Sequence, residues 1–428
     1  MAEAKTPFYK ALYPWIVWIL AASFFYYKYL IQVSPSVMSP QLMSAFSLTG
    51  AGLGNLAACF FYGYLLMQVP VGVLLDRWSP RKITSMAAFV CASGIFLFAN
   101  THTAVTAGLS RFLIGLSASF AAVSCFKLAS IWFPPKRFAL VAGLSMTAAM
   151  LGAVGGEGPL SALVDRFDWR HALEIIAVAG FILSALMWII IRDKQSPPST
   201  HPEYGVQVKL GLKLKILLTD PQTWLLSIYS GLAFAPVSVF GGLWGVSFIQ
   251  KAYSLNTTEA AHLISLIFIG FAIGCPLTGW FSDYIGRRKP IMFIGTLLAT
   301  IALAIVVYFP IPSFYLSVLL FLFGIGASCF FLCFSMIREL HPLVLTATVL
   351  GFMNTFDSVC EAVTEPFIGK LLDINWSGAY ENGARSFALH DYHLGLSALV
   401  IYLALSVVLM FFIKETYCIP RHEESHPA

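Results

Sequence analysis

Charged side chains are scarce in this sequence: Asp, Glu, Lys and Arg make up 11% of its 428 residues, against 58% hydrophobic residues. A soluble domain carries about 25% charge, so there is too little polar surface here to cover a water-soluble body of this size. The mean hydropathy of +0.79 makes the bilayer the natural solvent. An A-x-A-like cleavage site is also missing after the first apolar stretch, which therefore reads as a retained helix and not a signal peptide. The eight cysteines lie almost entirely in apolar stretches without C-x-x-C spacing, which excludes a redox pair and leaves packed free thiols with no metal site. There is no H-E-x-x-H, and His102, His171, His262, His341, His390 and His393 fall near span ends or in loops. Without a nucleophile–base or metal-ligand set, an enzyme is not expected, and no cofactor is implied. The net charge of +5 comes from short basic loops between apolar spans, a pattern that fits loops beside anionic lipid and not nucleic acid.

What is there is a series of long apolar runs. A helix needs ~20 residues to cross the hydrocarbon core. Runs near 14–33, 50–74, 83–100, 104–131, 139–163 and 172–191 qualify, as do 223–249, 259–282, 290–309, 313–336, 344–371 and 393–413. The fold expected is an all-α membrane protein of twelve transmembrane helices in two six-helix bundles. Residues 1–192 form the first bundle, 193–221 a linker, and 222–428 the second bundle with a short tail. Lys5, Lys10, Arg77, Arg81, Lys82, Lys136, Arg137, Arg192, Lys194, Lys209, Lys213, Lys215, Arg287, Arg288, Lys289, Arg338, Lys414 and Arg421 fall on the side of the termini. Only Arg166, Arg170, Lys251, Lys370 and Arg385 fall on the other. By the positive-inside rule both termini are cytoplasmic, in a multi-pass protein of the cell inner membrane. The linker's Val208–Leu218 stretch reads equally as a surface-lying segment or as plain solvated chain.

The two halves repeat. At a shift of 207 residues, Gly72-Val-Leu-Leu-Asp76-Arg77-Trp-Ser-Pro-Arg81-Lys82 falls opposite Gly279-Trp-Phe-Ser-Asp283-Tyr-Ile-Gly286-Arg287-Arg288-Lys289. At 208, Gly143 pairs with Gly351, Thr147 with Thr355, Glu157 with Glu365 and Asp165 with Asp373. Two long matches at the expected topological places imply duplication.

These residues resemble the loop signature G-x-x-x-D-[RK]-x-G-[RK]-[RK] of the major facilitator superfamily. The first copy matches at Gly72, Asp76, Arg77, Arg81 and Lys82, with Ser79 in the glycine place. The second keeps Gly286 and has Tyr284 in place of the first basic residue. Arg111-Phe-Leu-Ile-Gly115 is similar to the R-x-x-x-G pattern of proton-coupled members. Gly152, Gly155, Gly156 and Gly158-Pro159 are similar to the family's glycine–proline motif, and Trp132–Arg137 to its loop between helices 4 and 5. Tyr27–Met38 is weakly similar to the branch of nutrient transporters of intracellular bacteria. The resemblance covers the chain and implies alternating access by rocking of two bundles. Asp76, Arg77, Arg81, Asp283, Arg287 and Arg288 are then candidate gating residues, with topogenic charge as the plainer reading.

Ionisable groups within spans are costly unless they face a cavity and find partners. Lys28 lies ~21 Å along helix 1 from Pro14, with Gln32 a turn on and Tyr29 beside it. Either it faces a cavity or it snorkels to the interface. Arg111 lies ~12 Å into helix 4, at similar depth, and suits a bound carboxylate or phosphate, or an internal carboxylate. Lys127, deeper on another face, reads as a snorkelling or gate charge. Asp357, Glu361 and Glu365 form one acidic stripe on helix 11, and Asp357 and Glu361 are candidates for proton coupling with Arg111. The alternative is an interbundle latch. Gly231, Pro236, Gly241 and Gly242 mark a hinge or a closely packed helix 7, ahead of Trp244. Lys28, Gln32, Tyr29, Arg111 and Trp244 are the candidate substrate contacts.

The function expected is secondary active transport, by a monomer, of a small organic anion or zwitterion (carboxylate, amino acid or peptide-like), with proton symport. A drug–proton antiporter and a nutrient sensor without flux are the alternatives.

Overall fold

The computed structural model describes residues 8–193, 217–342 and 345–419. The expected linker lies mostly outside the described residues, as do the side chains of Asp76 and Arg77. Among the described residues twelve long helices follow one another along the chain. They are α1 (Leu12–Phe46), α2 (Gly50–Arg77), α3 (Pro80–Asn100), α4 (Ala104–Trp132), α5 (Leu140–Phe167) and α6 (Trp169–Ile190). Then come α7 (Pro221–Tyr253), α8 (Thr257–Ile285), α9 (Lys289–Tyr308), α10 (Ser313–Leu340), α11 (Thr346–Ile374) and α12 (Leu389–Leu409). Eleven are long and apolar enough to cross a membrane. The other, α11, is 29 residues long and owes its lower apolarity to the acidic stripe.

The helix starts are written in the sequence. Thr49 accepts from Gly52 N at 3.0 Å at the head of α2, and Asn256 and Glu259 form a reciprocal capping box at the head of α8. Gly286 ends α8 at φ +68°, a left-handed turn that only glycine adopts without strain. Several boundaries lie four or more residues from expectation, two of them with a visible cause. α1 continues to Phe46 through a tight 3-10 turn at Ser34–Met38, where Pro35 removes a helix donor. α12 begins at Leu389, because Asp391 reaches back to accept from Ala388 N at 2.8 Å. A two-residue hairpin, β1 (Tyr380–Glu381) with β2 (Ala384–Arg385), joins α11 to α12.

The irregularities repeat between halves. α1 breaks at Ser34–Met38, and α7 widens into a π turn at Phe240–Trp244, where Gly241 and Gly242 sit. α4 breaks at Ser119 and α10 at Cys329–Phe331. Such breaks occur in a membrane only where protein or a cavity meets the freed backbone groups, so all four mark helices that face the protein interior.

Across the halves, α2 packs on α11, α5 on α8, and α1 on α7. These contacts concentrate at the face away from the termini. A Cβ on Gly369 would lie 2.1 Å from Gly50 O, so the two helices meet backbone to backbone, an approach only glycine permits. Ser161 and Asp165 on α5 bond Thr258 on α8 at 2.9 and 2.6 Å. At the termini face the picture is opposite. A Cβ on Gly72, Gly143, Gly279 or Gly351 would meet nothing within 4 Å. The molecule is sealed on one face and open on the other.

Candidate functional site

Midway through the molecule α1, α2, α7 and α11 converge on a small space of about 30 Å³, room for about one water. Lys28, Tyr29 and Gln32 enter from α1, Phe61 and Tyr64 from α2, and Phe234 from α7, while Asn354, Asp357 and Glu361 come from α11. Lys28 is 6% exposed, so it points inward and does not snorkel. Its Nζ stands 3.6 Å from the centroid of the Tyr29 ring and 5.1 Å from that of Tyr64, a partly aromatic cage for the ammonium. Glu361 is the carboxylate that acts on it electrostatically.

The site is under-satisfied. Glu361 Oε1 and Gln32 Oε1 are buried without a hydrogen-bond partner, and buried polar atoms in that condition cost stability unless a ligand, water or proton meets them. Gln32 Nε2 donates to Ser238 Oγ at 3.4 Å, which ties α1 to α7. Asp357 accepts from Ser230 Oγ at 2.5 Å. The cation thus comes from one half and the carboxylates from the other.

Arg111 and Trp244 stand outside this space. Arg111 is 1% exposed; its Nη1 donates to Ile31 O at 3.0 Å, and its guanidinium lies 5.3 Å from the Phe60 ring centroid. Its electrostatic partner is Glu365, and Trp244 Nε1 reaches Glu365 O at 3.3 Å. A second buried cation and carboxylate therefore lie near the first, one helical turn along α11. The two candidate cations serve different places: Lys28 lines the small space, and Arg111 is held by α1 backbone. Lys127 donates to Leu75 O at 2.6 Å, within its own half.

The loop charges form networks inside each half. Arg288 contacts Asp283 at 2.5 Å and Glu339 at 2.9 Å, while Glu415, just past α12, accepts from Arg288 N and Lys289 N at the head of α9. In the first half Asp193, just past α6, accepts from Ser79 Oγ and from Arg81 N at the head of α3. Arg81 Nε also donates to Trp188 O at 2.7 Å. Each bundle thus uses a carboxylate after its sixth helix to cap its third. Arg287 is exposed and stacks loosely on Tyr417, 5.9 Å from guanidinium to ring.

Several of these roles escaped sequence reading. Tyr64 and Asn354 are polar groups inside spans, and Asn354 lies three residues before Asp357 on the same helical face, a findable signal. The Asp193 and Glu415 caps had none, since each acts across a fold that only the packing reveals.

The sequence profile of the Major Facilitator Superfamily matches residues 17–364 and 226–417. The chain is 28% identical over 300 residues to the uncharacterized transporter YybO of Bacillus subtilis (strain 168), covering 64% of this chain and 66% of that one. It is 24% identical over 383 residues to the probable galactarate/D-glucarate transporter GarP of Escherichia coli (strain K12), 81% and 85% of the two chains. In structure it resembles a bacterial homologue of the human lysosomal transporter Spinster, in its inward-facing and unoccupied conformation. The TM-score is 0.78 at 15% identity, over 99% of this chain and 100% of that one, a likeness of fold alone.

Proposed function

The chain belongs to the major facilitator superfamily, and from that premise we propose that it carries a small organic anion of the sugar-acid type across the inner membrane together with protons. The transporter class follows from the family; the anion and the proton are our reading. The observation that carries it is Lys28, a cation buried beside two aromatic rings and lining, with Asp357 and Glu361, a small space shared by both halves.

A carboxylate substrate suits that ammonium, and the sugar-acid relatives support the choice of class. Two ionised carboxylates beside it would repel the incoming anion. Once Glu361 takes up a proton, it no longer offsets the charge of Lys28, and the substrate carboxylate becomes the counter-ion. Anion and proton then travel together because neither is stable in the site without the other.

The space is too small for a sugar acid as it stands. Substrate entry requires α1 and α11 to separate, which links binding to rocking of the halves. With the termini cytoplasmic, as the basic loops favour, the open face is the inner one. The loop networks of Arg81 and of Asp283 and Arg288 would brace each bundle as a rigid unit during that motion.

Proteoliposomes carrying the purified chain, offered radiolabelled galactarate, glucarate or a hexuronate under an imposed proton gradient, test the proposal. Accumulation that needs the gradient and is lost in Lys28→Met supports it. Accumulation of hydrophobic drugs, or binding without flux, would replace it with one of the other two readings.

A further inference from the structure

A second cavity lies remote from the central site. A groove of about 460 Å³ opens between the head of α9 and the residues just after α12. α9 packs on α10 and α12 within its own half, so the groove faces away from the other bundle, toward lipid. Its walls are Phe293, Ile294 and Phe411, with Met410 buried at the floor. Ile294 is 62% and Phe411 68% exposed. Arg287 and Lys289 also line it.

We propose that this groove binds one anionic glycerophospholipid, its phosphate on Arg287 and Lys289 and an acyl chain along Phe293, Ile294 and Phe411. The charges support that occupant. Arg288 is matched by Asp283 and Glu339. Glu415, the acid in the groove, accepts from the backbone amides of Arg288, Lys289 and Thr416 at 2.9–3.0 Å, so it serves as the cap of α9. Lys289 spends one donor on Ile413 O at 2.9 Å. Arg287, among the described residues, has no ion pair and no side-chain hydrogen bond, only its loose stack on Tyr417. Two cations against one acid leave the groove one positive charge in excess. A headgroup of net charge −1 balances it, whereas a zwitterionic headgroup brings a second ammonium toward the cations. Because both walls belong to one bundle, the lipid rides with that bundle and does not sit in the moving interface.

Native mass spectrometry of the full chain, with phosphatidylglycerol or phosphatidylethanolamine of identical acyl chains, tests this, and inorganic phosphate is a third arm. The expected result is one phosphatidylglycerol retained roughly fivefold more tightly than phosphatidylethanolamine, at about 1 kcal/mol for the one juxtamembrane cation in excess. The double change Arg287→Gln with Lys289→Gln removes that preference. Ile294→Trp, which fills the groove and spares the charges, weakens retention of the lipid. Melting in lipid-free detergent shows whether each variant is folded, and Ile294→Trp remains informative where the double variant is not. Equal retention of the two lipids by the unaltered chain, a preference that survives the double change in a folded protein, or full competition by inorganic phosphate would overturn the proposal.

Discussion

Asp373, near the far end of α11, caps Gly50, the first residue of α2, from the opposite bundle: Oδ1 accepts from Gly50 N at 2.8 Å. Oδ2 accepts from Ala51 N at 2.8 Å, and Arg385 holds the carboxylate in place at 3.0 Å. Its repeat partner Asp165, near the end of α5, accepts from Thr258 Oγ at the head of α8. The duplication thus placed one carboxylate on each side of the sealed face, each meeting a helix N-terminus of the other bundle.

Asp373→Ala should loosen that seal. Losing hydrogen bonds to a charged acceptor costs about 2 kcal/mol, which shifts the balance of the two conformers roughly thirtyfold toward the one open at this face. Spin labels at Asn55 and Lys370 should report a longer-distance population, which grows in the variant. An unchanged distance distribution would mean that backbone packing at Gly50 and Gly369 seals the face without Asp373.

The four open glycines give a second expectation. Continuing toward the termini the register in which Gly158 meets His262 brings Gly143 opposite the neighbourhood of Gly279. A Gly143→Cys, Gly279→Cys pair should resist cross-linking in the conformation described and form a disulfide when the termini face closes. Substrate or a lowered pH should therefore change the rate of cross-linking. A rate indifferent to both would place the closing contact elsewhere.

Lys28 and Glu361 should be coupled in stability. Lys28→Met alone leaves buried Glu361 without the nearby cation and should lower the melting temperature. Adding Glu361→Gln should recover most of the melting temperature while transport stays lost. Additive losses would show that the two side chains do not act as a pair.

A contrast is expected in the second loop. Arg288→Ala removes the cation from buried Glu339, whose side chain is 10% exposed, and should destabilise strongly. Asp283 is 67% exposed, and Asp283→Asn should cost at most about 1 kcal/mol. Thermal melts in one detergent decide between them.

The helices, the repeat and the family were legible because each rests on signals many residues long: apolar runs, loop charges and a duplicated motif. The inward orientation of Lys28 was half legible. Its depth argued for a cavity, but only the packing of Tyr29 and Tyr64 around it separates a cage from a snorkel. Arg111 illustrates the limit. Depth along the chain put it level with Lys28, whereas its rotation on α4 carries it to the Ile31 carbonyl and to Glu365, outside the space that Lys28 faces. Trp244 likewise turned toward backbone. Which neighbour a side chain meets depends on interhelical contacts with no local signature. The lipid-facing groove was equally hidden, since it joins residues more than a hundred positions apart in the chain.

The most direct test is the pH dependence of sugar-acid accumulation in proteoliposomes, for the unaltered chain and for Asp357→Asn with Glu361→Gln. Proton symport predicts uptake that rises as the outside is acidified and collapses when the gradient is dissipated. The double amide variant should lose gradient-driven uptake yet keep equilibrium exchange of substrate. Accumulation by the double variant with the same pH response as the unaltered chain would contradict coupling through α11.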